Sequence, residues 1–286
     1  MNNIKVSKFL VGFDKTVTNG ISIYSINGSN VEVGESNGGH NITDGIHGYG
    51  SASTANRDYK DIELIDVSTG HVMGYARGAT SDIWTPLGNA QNITQNSTIT
   101  FKKSIDLMSK DAYMFIAEDS GQIVADTNVD VRAAGSNAVI AYATGKKGEG
   151  YAPSTIKING KVIAADYLTL GGDNTKIAYS MNNTAENNRT YNNIAAYADK
   201  SGVVEIDGKV AATSAQETQN IGDSLIYGIG AIAKNNGVVK LKNVSIVDNE
   251  KGALFAENDG KIEFKGNIVN ENNINASGNI TEDSAG

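Results

Sequence analysis

A five-residue motif, Ala-x-x-x-Gly, constrains this chain more than any other feature. Each copy is followed by a short run of alternating aliphatic residues. The motif reads AEDSG at 117–121, ADKSG at 198–202, AKNNG at 233–237 and AENDG at 256–260. The runs after the glycines are QIVAD, VVEID, VVKLK and KIEFK. A weaker copy, SINGSNVEV, covers 25–33, and TIKINGKVIA at 155–164 enters at the same phase. Period-two alternation over four or five residues marks a strand with one buried face. Self-similarity at a recurring phase marks a stacked repeat architecture.

A second signature lies just downstream of each strand. Ile158-Asn159-Gly160-Lys161-Val162, Ile206-Asp207-Gly208-Lys209-Val210 and Phe264-Lys265-Gly266-Asn267-Ile268 each break the alternation for two residues and resume it, and Leu241-Lys242-Asn243-Val244 is a looser copy. Gly and Asn reach positive φ at little cost, which a sharp corner between strands requires. Standing alone, each Asn-Gly or Asp-Gly pair would suggest a hairpin. The spacing argues otherwise. Ala233 and Ala256 are 23 residues apart, about one coil of a parallel β-helix. Ala198 and Ala233 are 35 apart, one coil plus an insertion, and the 81 residues from Ala117 to Ala198 read as three coils with insertions. Helical patterning is nearly absent: the best window, 184–198, holds Asn187, Asn188, Asn192 and Asn193, all poor helix formers.

The expected fold is therefore all-β, a right-handed parallel β-helix (β-solenoid) with loop insertions. A single coil cannot bury its inward Val, Ile and Leu. Stacked at ~4.8 Å, equivalent residues form aliphatic columns and backbone groups pair with the coils above and below. Ala117, Ala198, Ala233 and Ala256 are expected to align as a small-residue corner, and Asn at matched corners to ladder its side-chain amides along the axis. Proline deletes ladder donors, and the only two, Pro86 and Pro153, fall in insertions. The layout expected is an N-terminal β-rich solenoid segment with long inserted loops over 1–110, regular coils over 111–275, and a polar tail or truncated coil over 276–286. Insertions are placed near 34–60, 77–97, 144–154, 180–193 and 212–224. Loops on a rigid scaffold are where binding usually resides, although many are solvated decoration.

Composition excludes several classes. There is no cysteine, so no disulfide framework or thiolate metal site. The net charge is -8 with only four arginines, a poor match to nucleic acid, which needs a basic face. Hydrophobic content of 40 % argues against an acidic disordered chain. No apolar run reaches the ~18–20 residues that cross a bilayer, so no membrane insertion is expected. Lys5 and Lys8 precede an apolar stretch, but Gly12 and Asp14 break it before it reaches the ~7–15 residues of a signal-peptide core. Neither end reads as a natural boundary, and the chain is expected to be an excised piece of something longer.

Several segments imitate chemistry. Asp119-Ser120-Gly121 resembles a serine nucleophile, but its slot reads KSG, NNG and NDG elsewhere, as a structural turn would. Gly228-Ile229-Gly230-Ala231-Ile232-Ala233 matches a dinucleotide fingerprint, yet Asn235-Asn236-Gly237 ends any helix that could aim N–H groups at a pyrophosphate. Asp126–Asp130 begins like a calcium loop with Val131 where glycine is required. Period-two alternation, with Val129 and Val131 inward, accounts for it better. His40, Asp44 and His47 are a sparse chelating set, and His71 has no partner motif. Outward Glu205, Asp207 and Glu263 leave open a carboxylate pair for glycosidic cleavage. No catalytic, cofactor or metal residue is assigned. The tentative ligand contacts are loop residues: Trp84 and Asp82 in SDIWTPLGN, with Tyr49, Tyr151 and Tyr191. Trp84 reads either as an aromatic anchor or as packing for its loop.

The runs GALFAENDGKIEFKGNIV at 252–269 and YGIGAIAKNNGVVKLKNVSIV at 227–247 resemble coils of type V autotransporter passengers. The Asn/Lys/Ile-rich, Arg-poor composition is similar to the very large adhesins of low-GC anaerobic Gram-negative bacteria. The resemblance implies a non-enzymatic adhesin passenger of the type V secretion pathway, displayed at the cell surface as a virulence factor. Export would use a signal peptide and an outer-membrane β-barrel, neither within this chain. It implies attachment to a host-cell or bacterial surface protein or glycan, through loops on a monomeric rod. A β-helix polysaccharide lyase or hydrolase and a purely structural spacer are the alternatives.

Overall fold

The computed structural model describes residues 3–6, 9–12, 20–34, 46–49, 71–84, 90–102, 105–108, 112–127, 129, 131–134, 138–145, 152–160, 162–165, 167–170, 175–178, 193–208, 224–247 and 252–269. Every regular element among them is a strand. Two β-hairpins apart, the strands pair in parallel, each with the strand one repeat earlier and one repeat later.

Three columns of strands result. The first stacks Ile21–Ile26, Val72–Arg77, Tyr113–Glu118, Val139–Thr144, Asn193–Asp199, the second half of Ser224–Lys234, and Leu254–Glu257. The second stacks Asn3–Val6, Asn30–Val33, Thr98–Phe101, Gln122–Ala125, Thr155–Ile158, Val203–Asp207 and the first halves of Val238–Val247 and Lys261–Val269. The third begins at Phe9–Gly12 and runs through Ile46–Tyr49, Ile105–Met108, Val131–Ala134 and Val162–Ala165 to the remaining halves of the three long strands. One strand from each column makes a rung, and the seven strands of the first column define rungs 1 to 7. This all-β, parallel arrangement is compatible with a β-helix.

The register explains the sequence. Ser25, Ala76, Ala117, Ala143, Ala198, Ala233 and Ala256 form one column, and the five from Ala76 to Ala233 are fully buried. The alignment of Ala117, Ala198, Ala233 and Ala256 is as expected, but the rung count is not. Ala117 and Ala198 lie two rungs apart, with Ala143 between them. Ala143 escapes the motif because an insertion follows Gly145 and its rung resumes only at Ser154. In the second column Val33, Phe101, Ala125, Ile158, Ile206 and Leu241 stack in register, at most 1 % exposed. At roughly 25 cal/mol per Å² of apolar surface removed from water, these columns outweigh any exposed ion pair on the rungs.

The corner glycines expected at positive φ do not have it: a Cβ on Gly160 or Gly266 would lie 2.0 or 2.1 Å from the carbonyl oxygen of Val129 or Val244, and the motif glycine behaves alike. Positive φ falls on the two residues before it: Asp119 and Ser120, Lys200 and Ser201, Asn235 and Asn236, Asn258 and Asp259. The glycine instead lies against the backbone of the rung below. A Cβ on Gly121, Gly202, Gly237 or Gly260 would come within 2.0–2.3 Å of the carbonyl oxygen of Ala76, Ala143, Ala198 or Ala233. Rung 1 carries Ser29 in this slot, and no first-column strand pairs below it among the described residues. The amide ladder is as expected: Asn258 Nδ2 donates to Asn235 Oδ1 at 3.3 Å, and Asn235 Nδ2 to Asp199 Oδ1 at 2.7 Å.

Where an insertion enters this corner, serine replaces glycine and takes over a hydrogen bond. In uninterrupted rungs the Ser201 and Asn236 amides donate upward to the Asn235 and Asn258 carbonyls. Below the insertions that end at Ser97 and Ser154, the Gly28 and Ser120 amides donate instead to Ser97 Oγ at 3.0 Å and Ser154 Oγ at 3.1 Å. Both serines are fully buried. Ser154→Ala strands the Ser120 amide and is expected to cost ~1–3 kcal/mol in denaturant unfolding. Ser154→Thr, which keeps the acceptor, should cost less.

Two segments expected to be insertions prove to be partly ordered strand. Ile46–Tyr49 lies inside the insertion placed at 34–60, yet it pairs with Phe9–Gly12 and Ile105–Met108 as a third-column strand. The insertion placed at 77–97 holds an antiparallel hairpin of Ala79–Trp84 with Ala90–Gln95, and a second hairpin, Tyr167–Leu170 with Thr175–Ala178, lies ahead of 180–193, where no insertion was placed. Conversely, the corner signature makes no hairpin at 158–162: the flanking strands each pair in parallel with other rungs.

Buried at the foot of the first column, His71 packs against Gly20, where an added Cβ would lie 2.6 Å from the imidazole Cε1. Burial lowers its pKa to about 4. The unfolded chain takes up this proton near the ordinary value of about 6.5 and the folded chain does not. Stability is therefore complete above that pH and falls as pH drops toward about 4, by roughly 3 kcal/mol over the window. A His71→Gln chain should show a flatter stability profile than wild type between these values, a difference that cancels the carboxylate titrations common to both.

Candidate functional site

Immediately before the motif alanine, every rung carries a large residue that points outward. Tyr24, Tyr75, Ile116, Tyr142, Tyr197, Ile232 and Phe255 share one register. The ends of this stripe are open, with Tyr24 47 % and Phe255 40 % exposed. Tyr24 and Tyr75 stack with ring centroids 4.9 Å apart and planes 15° apart. Tyr142 meets Tyr197 at 4.9 Å and 52°, and Tyr113 packs beside Tyr142 at 5.9 Å. Such contacts add ~0.5–1.5 kcal/mol per pair beyond area burial. Tyr24 and Tyr75 cover one another's ring faces, whereas the Tyr113, Tyr142 and Tyr197 rings meet at a tilt.

A charged column runs beside the stripe. Two residues after each stripe residue come Ile26, Arg77, Glu118, Thr144, Asp199, Lys234 and Glu257, charged in five of the seven rungs. The Tyr75 hydroxyl donates to Glu118 Oε2. Arg77 lies 3.8 Å from Glu118 and 3.4 Å from Asp119, and Lys234 is 2.8 Å from Glu257. Burial, then the bond to Glu118, raises the Tyr75 pKa, and burial raises those of Tyr142 and Tyr197. The hydroxyls stay protonated as donors well past neutral pH.

The second column's outer side is polar by contrast. Lys157, Glu205, Lys240 and Glu263 alternate in one register, with Lys157 3.9 Å from Glu205 and Lys261 2.8 Å from Glu263. Glu205 and Glu263 are thus separated by a lysine rung. The bond from Lys261 holds the Glu263 carboxyl below its ordinary range, whereas a general acid needs it raised.

The segments that imitate chemistry have structural positions. Ser120 is fully buried and its hydroxyl donates to the Ala152 carbonyl at 2.9 Å. Gly228 to Ala233 is strand, and Gly230 leaves room for Ile246, whose Cδ1 would lie 2.0 Å from a Cβ there. Val129 and Val131 are buried, as alternation required.

Of the tentative contact residues, Asp82 and Trp84 lie on the strand Ala79–Trp84 of an antiparallel hairpin with Ala90–Gln95, opposite Asn92 and Ala90. Tyr49 ends a third-column strand, opposite Gly12. Tyr151 and Tyr191 lie outside the described residues, as do His40 and Asp44. Among the described residues, Asp82 and Trp84 share that hairpin and Tyr49 lies on the third column. The outward stripe is what sequence reasoning missed: extending the motif copies by one residue toward the N-terminus would have shown Ile116, Tyr197, Ile232 and Phe255, but not Tyr75 or Tyr142, whose rungs lack the motif. No protein family, curated protein or solved structure matches the chain.

Proposed function

We propose that the chain is a right-handed parallel β-helix acting as a non-enzymatic attachment rod, a surface-displayed passenger of the autotransporter type. One observation carries this reading: the strand register is indifferent to what is inserted between strands. The segment from Ala117 to Ala143 spans 26 residues and that from Ala143 to Ala198 spans 55, yet both pairs align directly. A scaffold of this kind carries variable segments without being altered by them, which suits display better than catalysis. The insertions leave all three corners, between columns one and two at 78–97, two and three at 34–45, and three and one at 166–192. Attachment to a host-cell or bacterial surface protein or glycan is assigned to these segments.

The test is binding of the purified chain to host and bacterial cells, with sugars and amino acids as competitors. Replacing the 79–95 hairpin by a short linker is expected to reduce binding while far-UV circular dichroism is unchanged apart from the lost hairpin. If none of the insertion variants alters binding, the loop assignment fails. Release of reducing sugar from a polysaccharide would move the reading to a β-helix hydrolase or lyase.

A further inference from the structure

We propose that the outer face of the first column docks a second copy of this chain, antiparallel, about a two-fold axis that runs along the strands between rungs 4 and 5. This goes beyond attachment to foreign surfaces and departs from the monomer expected of the sequence. Three observations combine. The central stripe of this face is aromatic or aliphatic in every rung, whereas the second column's outer side alternates lysine and glutamate over rungs 4 to 7. A contiguous apolar strip of this kind on a soluble chain marks an interaction surface. Its backbone hydrogen bonds are already taken by neighbouring rungs, so an added strand is not the occupant.

Size is the second observation. Six strands at ~4.8 Å by about six residues at ~3.3 Å give a face of roughly 29 by 20 Å. That flat area is on the order of 600 Å², close to the ~800 Å² of accessible surface that each partner contributes to a stable complex.

The third is charge complementarity, which selects one register. With the axis between rungs 4 and 5, rung 2 meets rung 7, rung 3 meets rung 6 and rung 4 meets rung 5 of the second copy. Arg77 then faces Glu257 and Glu118 faces Lys234, each pair occurring twice by symmetry. Along the stripe Tyr75 meets Phe255, Ile116 meets Ile232 and Tyr142 meets Tyr197. Moving the axis by half a rung, to rung 4, sets Arg77 against Lys234 and Glu118 against Asp199, which is repulsive. A parallel two-fold sets the charged column against the opposite, apolar edge of the face. The side chains concerned are a third to a half exposed, at 46 % for Arg77, 34 % for Glu118 and Lys234 and 55 % for Glu257.

Sedimentation velocity on the full chain from about 1 to about 100 µM should show a monomer–dimer equilibrium in the micromolar range. Glu118→Lys and Lys234→Glu should each weaken dimerisation at least ~10-fold, with thermal unfolding as the control for folding. The double variant is decisive. Within one chain its new ammonium lies beside Arg77 and its new carboxylate beside Glu257, so the intramolecular pairs stay broken. Only across the antiparallel dimer are opposite charges restored. Recovery of dimerisation in the double variant is the expected result. A chain that stays monomeric throughout the range, a dimer insensitive to the single reversals, or a double variant no better than the singles would each overturn the proposal. None of these outcomes bears on cell attachment, which is measured separately on monomeric chain.

Discussion

Alanine at Gly202 is expected to separate rung 4 from rung 5. The added Cβ would lie 2.1 Å from the carbonyl oxygen of Ala143, 2.5 Å from its carbon, and 3.0 Å from the Asp199 oxygen. All three are backbone atoms, so no side-chain rotation relieves the contact. Relief requires the rungs to part by more than an ångström, which stretches the bond that joins them at this corner, Val203 N–H to the Ser154 carbonyl at 2.8 Å. The expected cost is about 4 kcal/mol, in the range reserved for strain that the fold cannot absorb. Gly145→Ala is the control. Its Cβ would meet Lys200 O at 3.2 Å and Ser154 Oγ at 3.5 Å, a contact relieved by a few tenths of an ångström, and its cost should stay within ~1 kcal/mol. Because a stacked repeat loses rungs locally, amide hydrogen exchange resolved by segment is the right readout. Protection should fall first around 139–145 and 198–203 in the Gly202→Ala chain. Equal effects of the two substitutions would mean that the glycine is kept for chain flexibility rather than for close approach.

That contrast marks how far sequence reasoning reached. The copies at Ala233 and Ala256, a single coil apart, placed the alanine column and the stacking direction, because neighbouring rungs of similar length keep their phase visible. Ala143 was invisible for a physical reason. What stacks is height along the axis, whereas the sequence records only distance along the chain, and insertions of unequal length separate the two. The glycine was visible as a residue type but not in its role, since close approach and positive φ both select glycine and only coordinates distinguish them. The outward tyrosines were hidden differently. Tyr24, Tyr75, Tyr142 and Tyr197 lie 51, 67 and 55 residues apart, with no common spacing, and their adjacency belongs to the register alone. The tentative contact residues were chosen for lying in insertions, a rule that selects loops but cannot say which of them meet.

The core offers the second large effect. Phe115 is fully buried, stands between Gly74 below and Ala141 above in its column, and packs against Phe101 of the second column at a centroid distance of 5.0 Å. Its bulk is accommodated because its neighbours in register are the smallest residues available. A Cβ on Gly74 would lie 3.1 Å from Phe101 Cζ and 3.3 Å from Phe115 Cδ1. Phe115→Ala therefore removes a phenyl group from a space whose walls are rung backbones fixed at ~4.8 Å and unable to collapse. The expected loss is about 4 kcal/mol, at the costly end for phenylalanine because relaxation is blocked. The only tryptophan lies on the 79–95 hairpin and not on a strand of the three columns, so unfolding of the columns is better followed by far-UV circular dichroism than by its fluorescence. Gly74 supplies the internal check. Gly74→Ala alone crowds both rings and should destabilise by ~1–2 kcal/mol. In the Phe115→Ala background the same methyl enters the vacated space and should recover part of the loss, giving a coupling of ~1 kcal/mol or more between the two sites. Strict additivity would show that Phe115 and Gly74 do not share one packing unit, and that the large–small alternation along this column is incidental to stability.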